Sequence, residues 1–345
     1  MLARLVLGAG LLALLAGAAP AADLRAVTDS AGRRVEVPAR VERVYPAGVP
    51  AAIFLYTLAP EKMLGWMRPL GPDERAFVPA RFADLPTLGR LTGRGNTANV
   101  EAVLAARPDL VLDYGSVTET YRSLADRVQQ QTGIPYLLFD GSLSAIPEAY
   151  ARVGDVLGAA DRARELGRHA ALLLAEVDRR VARVPPAQRP SVYYARGPKG
   201  LDTAARGSIN VESLERMGAR NVADRGTGLV SVSPEQVLAW DPEIIVAIDP
   251  AFAASVRTDP TWKSVRAVRE GRVYLVPQAP FAWVDFPPSV NRLIGLKWLG
   301  RVLYPAQFPE DLRQETRAFY ALFYHQAPTE AQLDALLAGV ERPRR

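Results

Sequence analysis

The 345-residue chain contains no cysteine. Disulfides, thiolate nucleophiles, iron–sulfur clusters and cysteine-bound zinc are thereby excluded. Histidine is nearly as scarce. His169 and His325 are the only two, too few for an imidazole-rich transition-metal centre, and no metal site of the protein's own is expected. Charge of one sign is also scarce: 42 Lys and Arg face 37 Asp and Glu, a net +5 with no basic run. A nucleic-acid-binding chain would concentrate its cations in a patch, so no nucleic-acid partner is expected. The G-x-S-x-G elbow, H-E-x-x-H, the P-loop and C-x-x-C are all absent. That leaves an exported α/β enzyme relying on carboxylates as the only catalytic reading. With 49% hydrophobic and 23% charged residues the chain is neither disordered nor a coiled coil, and its length is about two domains' worth.

Residues 1–22 read as a secretory leader: Arg4, an apolar stretch from Leu5 to Ala16, and a small-x-small site at Ala19-Pro20-Ala21. This run is too short and too rich in Gly and Ala to span a bilayer, and no later segment is long enough. An exported chain that does not span the membrane is expected.

Beyond the leader, short apolar runs alternate with amphipathic stretches, the pattern of an α/β protein with mostly parallel sheets. Strands are expected at 41–45, 63–67, 110–113, 136–139, 191–195, 244–248 and 273–276, with helices at 100–106, 121–132 and 234–239. A hairpin is expected over 23–38. Between Ala160 and Val184 apolar residues (Leu166, Ala170, Leu173, Val177, Val181) recur at spacings of three and four among charged neighbours, and Pro185-Pro186 stops the run. This is a long one-sided helix at the middle of the chain. It divides the sequence into an N-terminal lobe (23–155), a bridging helix (156–186) and a C-terminal lobe (187–345). An internal repeat supports two similar lobes: Val100-Glu101-Ala102-Val103-Leu104-Ala105 followed by Pro108-Asp109-Leu110-Val111 matches Pro234-Glu235-Gln236-Val237-Leu238-Ala239 followed by Pro242-Glu243-Ile244-Ile245.

The leader without cysteine, the twin lobes, the midpoint helix and the repeated E-x-V-L-A-x-x-P-[DE]-[LI]-[VI] element resemble class III periplasmic substrate-binding proteins of ABC importers. So do Asp29-Ser30-Ala31-Gly32-Arg33-Arg34-Val35, Gly207-Ser208-Ile209-Asn210, Gly218-Ala219-Arg220-Asn221-Val222-Ala223 and Pro288-Ser289-Val290-Asn291-Arg292-Leu293. The resemblance implies a periplasmic monomer, not an enzyme and without a cofactor, that carries a small anionic metal-containing ligand to a permease dimer. An iron–siderophore complex comes first; haem, a corrinoid or molybdate/tungstate are the alternatives on the same fold. It also implies that Glu101 and Glu235 dock onto arginines of the two permease subunits, a role compatible with that of a helix-start carboxylate.

The ligand site is expected in the inter-lobe cleft, at the C-terminal ends of the parallel strands. Reading those ends gives Tyr45, Tyr114, Tyr194, Arg196 and Lys199, with Arg90 and Arg94 from the loop before the Glu101 helix. Late in the chain come Phe281, Trp283, Phe286 and Arg292. Aromatic faces beside guanidinium groups suit a bulky, partly apolar anion. Arg292 also fits a structural pair, and Asn210 fits a turn or cap better than a ligand contact. His169 and His325 are expected at the surface or in packing, and not as axial ligands.

Overall fold

The computed structural model describes residues 23–93 and 99–339. The expected leader and Arg94 lie outside them. The chain opens with an antiparallel hairpin of β1 (Leu24–Thr28) and β2 (Arg34–Pro38). The first lobe is then built on a parallel sheet of β3 (Val44–Pro46), β4 (Leu110–Gly115) and β5 (Tyr136–Asp140), in that order. The second lobe contains β6 (Ser191–Ala195), β7 (Asp202–Ala204), β8 (Arg220–Asn221), β9 (Leu229–Ser231), β10 (Ile244–Ala247) and β11 (Val273–Leu275). Four of these form a parallel sheet in the order β11-β10-β6-β8, and β7 pairs with β9 as a short antiparallel ribbon. The expected strand at 63–67 is not one: only isolated bridges, Val44 to Met63 and Trp66 to Thr87, form there.

The central strands are buried along almost their whole length, as parallel strands covered on both faces must be. Their two faces meet different surroundings. Leu110, Leu112, Tyr114, Val192, Tyr194, Ile244 and Val246 enter one continuous core shared by both lobes. Their sequence neighbours Val111, Tyr193, Ile245 and Ala247 face two smaller outer clusters, one per lobe. The period-two alternation of a strand therefore decides which side chains can reach the middle of the molecule.

The bridging helix spans Ala160–Val181, about 33 Å at 1.5 Å per residue. Its apolar stripe lies against the shared core, and the Ile146–Leu157 helix packs beside it, where Gly154 leaves room for Ala163. After the second sheet the chain returns to the first lobe. The Tyr56 hydroxyl donates to the Tyr324 carbonyl, Ser289 Oγ donates to the Pro50 carbonyl at 2.9 Å, and Phe77 stacks edge-on against Tyr320. The helices Arg292–Leu303, Leu312–Phe323 and Glu330–Leu337 therefore help to hold both lobes together.

Asp113, on the outer face of β4, is buried and accepts the Tyr136 hydroxyl and the Tyr114 N–H, each at 2.9 Å. Burial outweighs these bonds and pushes its carboxyl up to about 6. The unfolded value is about 4, so the native state binds the extra proton between these limits. Stability present below about pH 4 is therefore lost as pH rises through about 6. Asp113→Asn is expected to flatten that slope and to raise the unfolding free energy at pH 7 by up to about 3 kcal/mol. Urea denaturation from pH 4 to pH 7 measures it; a variant with the wild-type slope would show that the proton is bound elsewhere.

Candidate functional site

The carboxyl ends of both sheets meet at the crevice between the lobes. Val49 and Ala52, just after β3, join Trp66, Met67 and Leu70 to form the first-lobe wall of a cavity of about 460 Å³. The opposing wall is the segment Gln278–Pro287, which contributes Gln278, Phe281 and Phe286. Arg68 and Arg90 bring positive charge, and Arg68 is held by Glu74 at 2.7 and 2.5 Å. A second cavity of about 350 Å³ meets the first at Gln278 and Phe286. It is lined by Arg196, Asp202, Ser231 and Asp249, from the ends of β6, β7, β9 and β10.

Phe286 stands at the junction. It is 65% exposed, and its φ of 70° puts a bulky residue in the left-handed region. Its ring lies 5.4 Å from the guanidinium carbon of Arg196, within cation–π range. Arg196 is set from behind by Asp285, a buried carboxylate that accepts from Arg196 Nη1, from the Tyr194 hydroxyl at 3.1 Å and from Asn210 Nδ2 at 2.9 Å. Burial first, and Asp285 second, push the Tyr194 hydroxyl far above its ordinary value, so it stays a donor. Three donors satisfy Asp285 in the core, and Arg196 is thereby aimed at the cavity.

The structure puts Arg90, Arg196, Phe281 and Phe286 in the cavity linings and Tyr194 against Arg196 behind them, and it places the other sequence candidates elsewhere. Tyr45 is not in the cleft. Strand parity turns it to the outer cluster, where its hydroxyl donates to the Leu88 carbonyl at 2.9 Å, and burial pushes it up to about 12. Tyr114 faces inward but is buried, stacked on Phe54 with centroids 4.5 Å apart. Trp283 is buried as well, its indole N–H donating to the Tyr320 hydroxyl at 3.0 Å. Neither Tyr114 nor Trp283 lines either cavity. Lys199 is exposed in the turn after β6 and also lies outside both linings. Arg292 is buried and structural: it donates to Glu212 at 2.7 Å, to the Ser289 carbonyl at 3.1 Å and across to the Gly141 carbonyl of the first lobe. Arg94 falls outside the described residues. Of the two histidines, His325 is half-buried and bonded to the Tyr56 carbonyl at 2.8 Å, and His169 packs against Phe323.

Sequence reading missed Asp285, Gln278 and Trp66. Asp285 carried a signal: an acidic residue inside the aromatic run 281–286 needs a partner if that run is buried.

Glu101 and Glu235 occupy equivalent places. The Val100–Ala106 and Pro234–Trp240 helices are capped by Asn99 and Ser233, whose side chains accept from Ala102 N–H and Gln236 N–H. Both end in a left-handed residue, Arg107 and Asp241. The acid that follows each proline then fastens the neighbouring strand: Asp109 accepts from Arg43 N–H at 2.8 Å, and Glu243 from Ser191 N–H at 2.7 Å. Both glutamates are exposed. Glu235 is held below its usual range by Ser233 and its own N–H.

A sequence profile described as "Periplasmic binding protein" matches residues 80–280, more than half the chain. The chain is 26% identical over 331 residues to the molybdate-binding protein MolA of Haemophilus influenzae, covering 87% of this chain and 91% of MolA. It is 22% identical over 238 residues to the haem uptake protein IsdE of Staphylococcus aureus, covering 65% and 78%. Among solved structures, an ABC transporter solute-binding protein from Sulfurospirillum deleyianum superposes with a TM-score of 0.83 at 30% identity, covering 91% of this chain and 99% of the other. Two α/β lobes, a bridging helix and a crevice at the strand ends are the common plan, and this chain belongs to the class III periplasmic binding proteins that serve ABC importers.

Proposed function

We propose that the protein captures a metal-containing anion of chelate size, an iron–siderophore complex first, between the two cavities and delivers it to a permease dimer. The observation that carries this reading is that a cavity lined by Arg90, Trp66 and Phe281 and one lined by Arg196 adjoin at Phe286. Guanidinium groups recognise anionic oxygens, and aromatic faces supply area to the organic part of a chelate. Haem is the weaker reading, because among the described residues neither lining contains a His or Tyr, and Met67 would offer one thioether as axial ligand. A metal oxyanion such as molybdate is the second reading, favoured by the likeness to MolA along nearly the whole chain. Residues 1–22 fit a cleavable leader to the periplasm, and Glu101 and Glu235 fit one docking carboxylate per lobe, the acid strengthening encounter with a basic partner.

Tryptophan fluorescence follows the cleft directly, because Trp66 is in its wall. Titration with ferric hydroxamate and catecholate siderophores is expected to give saturable quenching. Phe286→Ala should weaken that binding about tenfold, roughly 1.4 kcal/mol, by removing the exposed ring. Binding of molybdate or tungstate without siderophore would select the second reading, and binding of neither class would defeat the proposal.

A further inference from the structure

Few large apolar side chains stand exposed among the described residues: Leu24, Leu104, Leu172, Leu238 and Phe286. Single exposed leucines are ordinary on any surface. Two of these are not scattered. Leu104 lies three residues after Glu101 and Leu238 three residues after Glu235, at the same position of the repeat in opposite lobes. Exposure runs in parallel through both copies. Each glutamate is exposed, the valine two residues on is buried in its own lobe's outer cluster, and the leucine and alanine that follow are exposed again. Leu104 is 45% exposed and Leu238 37%.

On a seven-residue helix, positions three apart share a face, so each lobe presents one carboxylate and one leucine side by side. We infer that Leu104 and Leu238 are paired apolar anchors that seat the two lobes on the two halves of a membrane permease, each in an apolar socket beside a cationic side chain. This rests on the docking role proposed for Glu101 and Glu235. The doubled surface calls for a partner that is itself doubled, and the adjacent carboxylates call for arginine or lysine on it.

The two residue types divide the work. Exposed carboxylates accelerate encounter and are screened by salt, but an exposed ion pair holds little. Residence depends on apolar groups that lose their water at the contact, with charges around them. Alone, the glutamates would give a fast but short-lived complex; the leucines lengthen it.

The test uses the full-length mature protein and the cognate permease–ATPase complex in nanodiscs, with association and dissociation measured at low and high salt. Leu104→Gln with Leu238→Gln keeps helix propensity at exposed sites, so thermal stability and ligand binding should be unchanged. Dissociation is expected to quicken about tenfold, with association altered less than twofold. Glu101→Gln with Glu235→Gln should instead slow association and flatten its salt dependence. Leu172→Gln, an exposed leucine on the bridging helix outside the repeat, should change neither. If the leucine pair dissociates at the wild-type rate while the glutamate pair associates slowly, the inference fails and the docking reading stands. If the wild type does not bind, or ignores loss of both glutamates, the docking reading fails and takes the inference with it. A leucine-dependent dimer of this chain in sedimentation would assign the anchors to self-association and overturn the inference.

Discussion

Glu212→Leu is expected to destabilise the protein by about 3–5 kcal/mol, more than removal of its partner by Arg292→Met. The asymmetry follows from burial. The Arg292 side chain has no exposed surface, whereas the Glu212 side chain is about a quarter exposed, at 26%. Without Glu212 the guanidinium keeps, among the described residues, only carbonyl partners at Ile209, Ser289 and Gly141, and a guanidinium has no neutral form to fall back on. Without Arg292, Glu212 still accepts the Leu143 N–H at 2.9 and 3.0 Å and can be hydrated, so about 1–3 kcal/mol is lost. The double variant should recover much of the larger loss, because no charge is then stranded. Urea unfolding of the four proteins closes the cycle. Equal losses in the two single variants would refute the asymmetry, and simple addition in the double would mean that the pair is not coupled. The contact crosses the lobes, since Arg292 and Glu212 reach Gly141 and Leu143 of the first lobe, so it also latches the two lobes together.

That latch shows where sequence reading stops. The repeat, the bridging helix and the buried parallel strands were legible because each is local: a period of 3.6 or 2, a Pro-Pro stop, an acid after a proline. The Val100–Ala106 helix was anticipated at its observed bounds. The site was less legible, because a strand-end tyrosine has two faces available and the sequence does not say which one is the cleft. Tyr45 and Tyr194 look alike in sequence. Parity turns the first to the outer cluster and the second towards Asp285. Arg292 and Trp283 were drawn to the cleft by their chemistry, yet both are held by partners far along the chain, Gly141 and Tyr320. Asp285 was missed for the same reason: the donors that make it tolerable, Tyr194, Arg196 and Asn210, come from other segments.

Gly295→Ala joins the packing of the late helices to the ligand cleft and is expected to cost about 3 kcal/mol or more. Helix propensity argues the other way: Gly295 is inside the Arg292–Leu303 helix, where alanine would gain about 1 kcal/mol. The space decides it. A β-carbon there would overlap the Trp283 carbonyl oxygen and lie 2.7 Å from its carbon. That obstacle is backbone, so no rotamer change relieves it, and the loss exceeds the usual 1–3 kcal/mol of an overpacked core. Gly300→Ala, one and a half turns further on, is the matched control. Its β-carbon would meet the ring of Phe308, a side chain that can move, so its loss should be smaller, about 1 kcal/mol. The consequence for function follows from what Trp283 belongs to. Its segment, anchored by the Trp283 N–H on the Pro277 carbonyl at 3.1 Å and by the indole on Tyr320, carries Gln278, Phe281 and Phe286 into the cavity walls. Pushing that backbone outward moves one whole wall of the crevice, so Gly295→Ala should weaken ligand binding as well as stability, while Gly300→Ala should leave binding intact. Unfolding free energies and fluorescence titrations of the two variants, side by side, would show whether the helix and the cleft wall move as one. A Gly295→Ala protein of wild-type affinity would show that they do not.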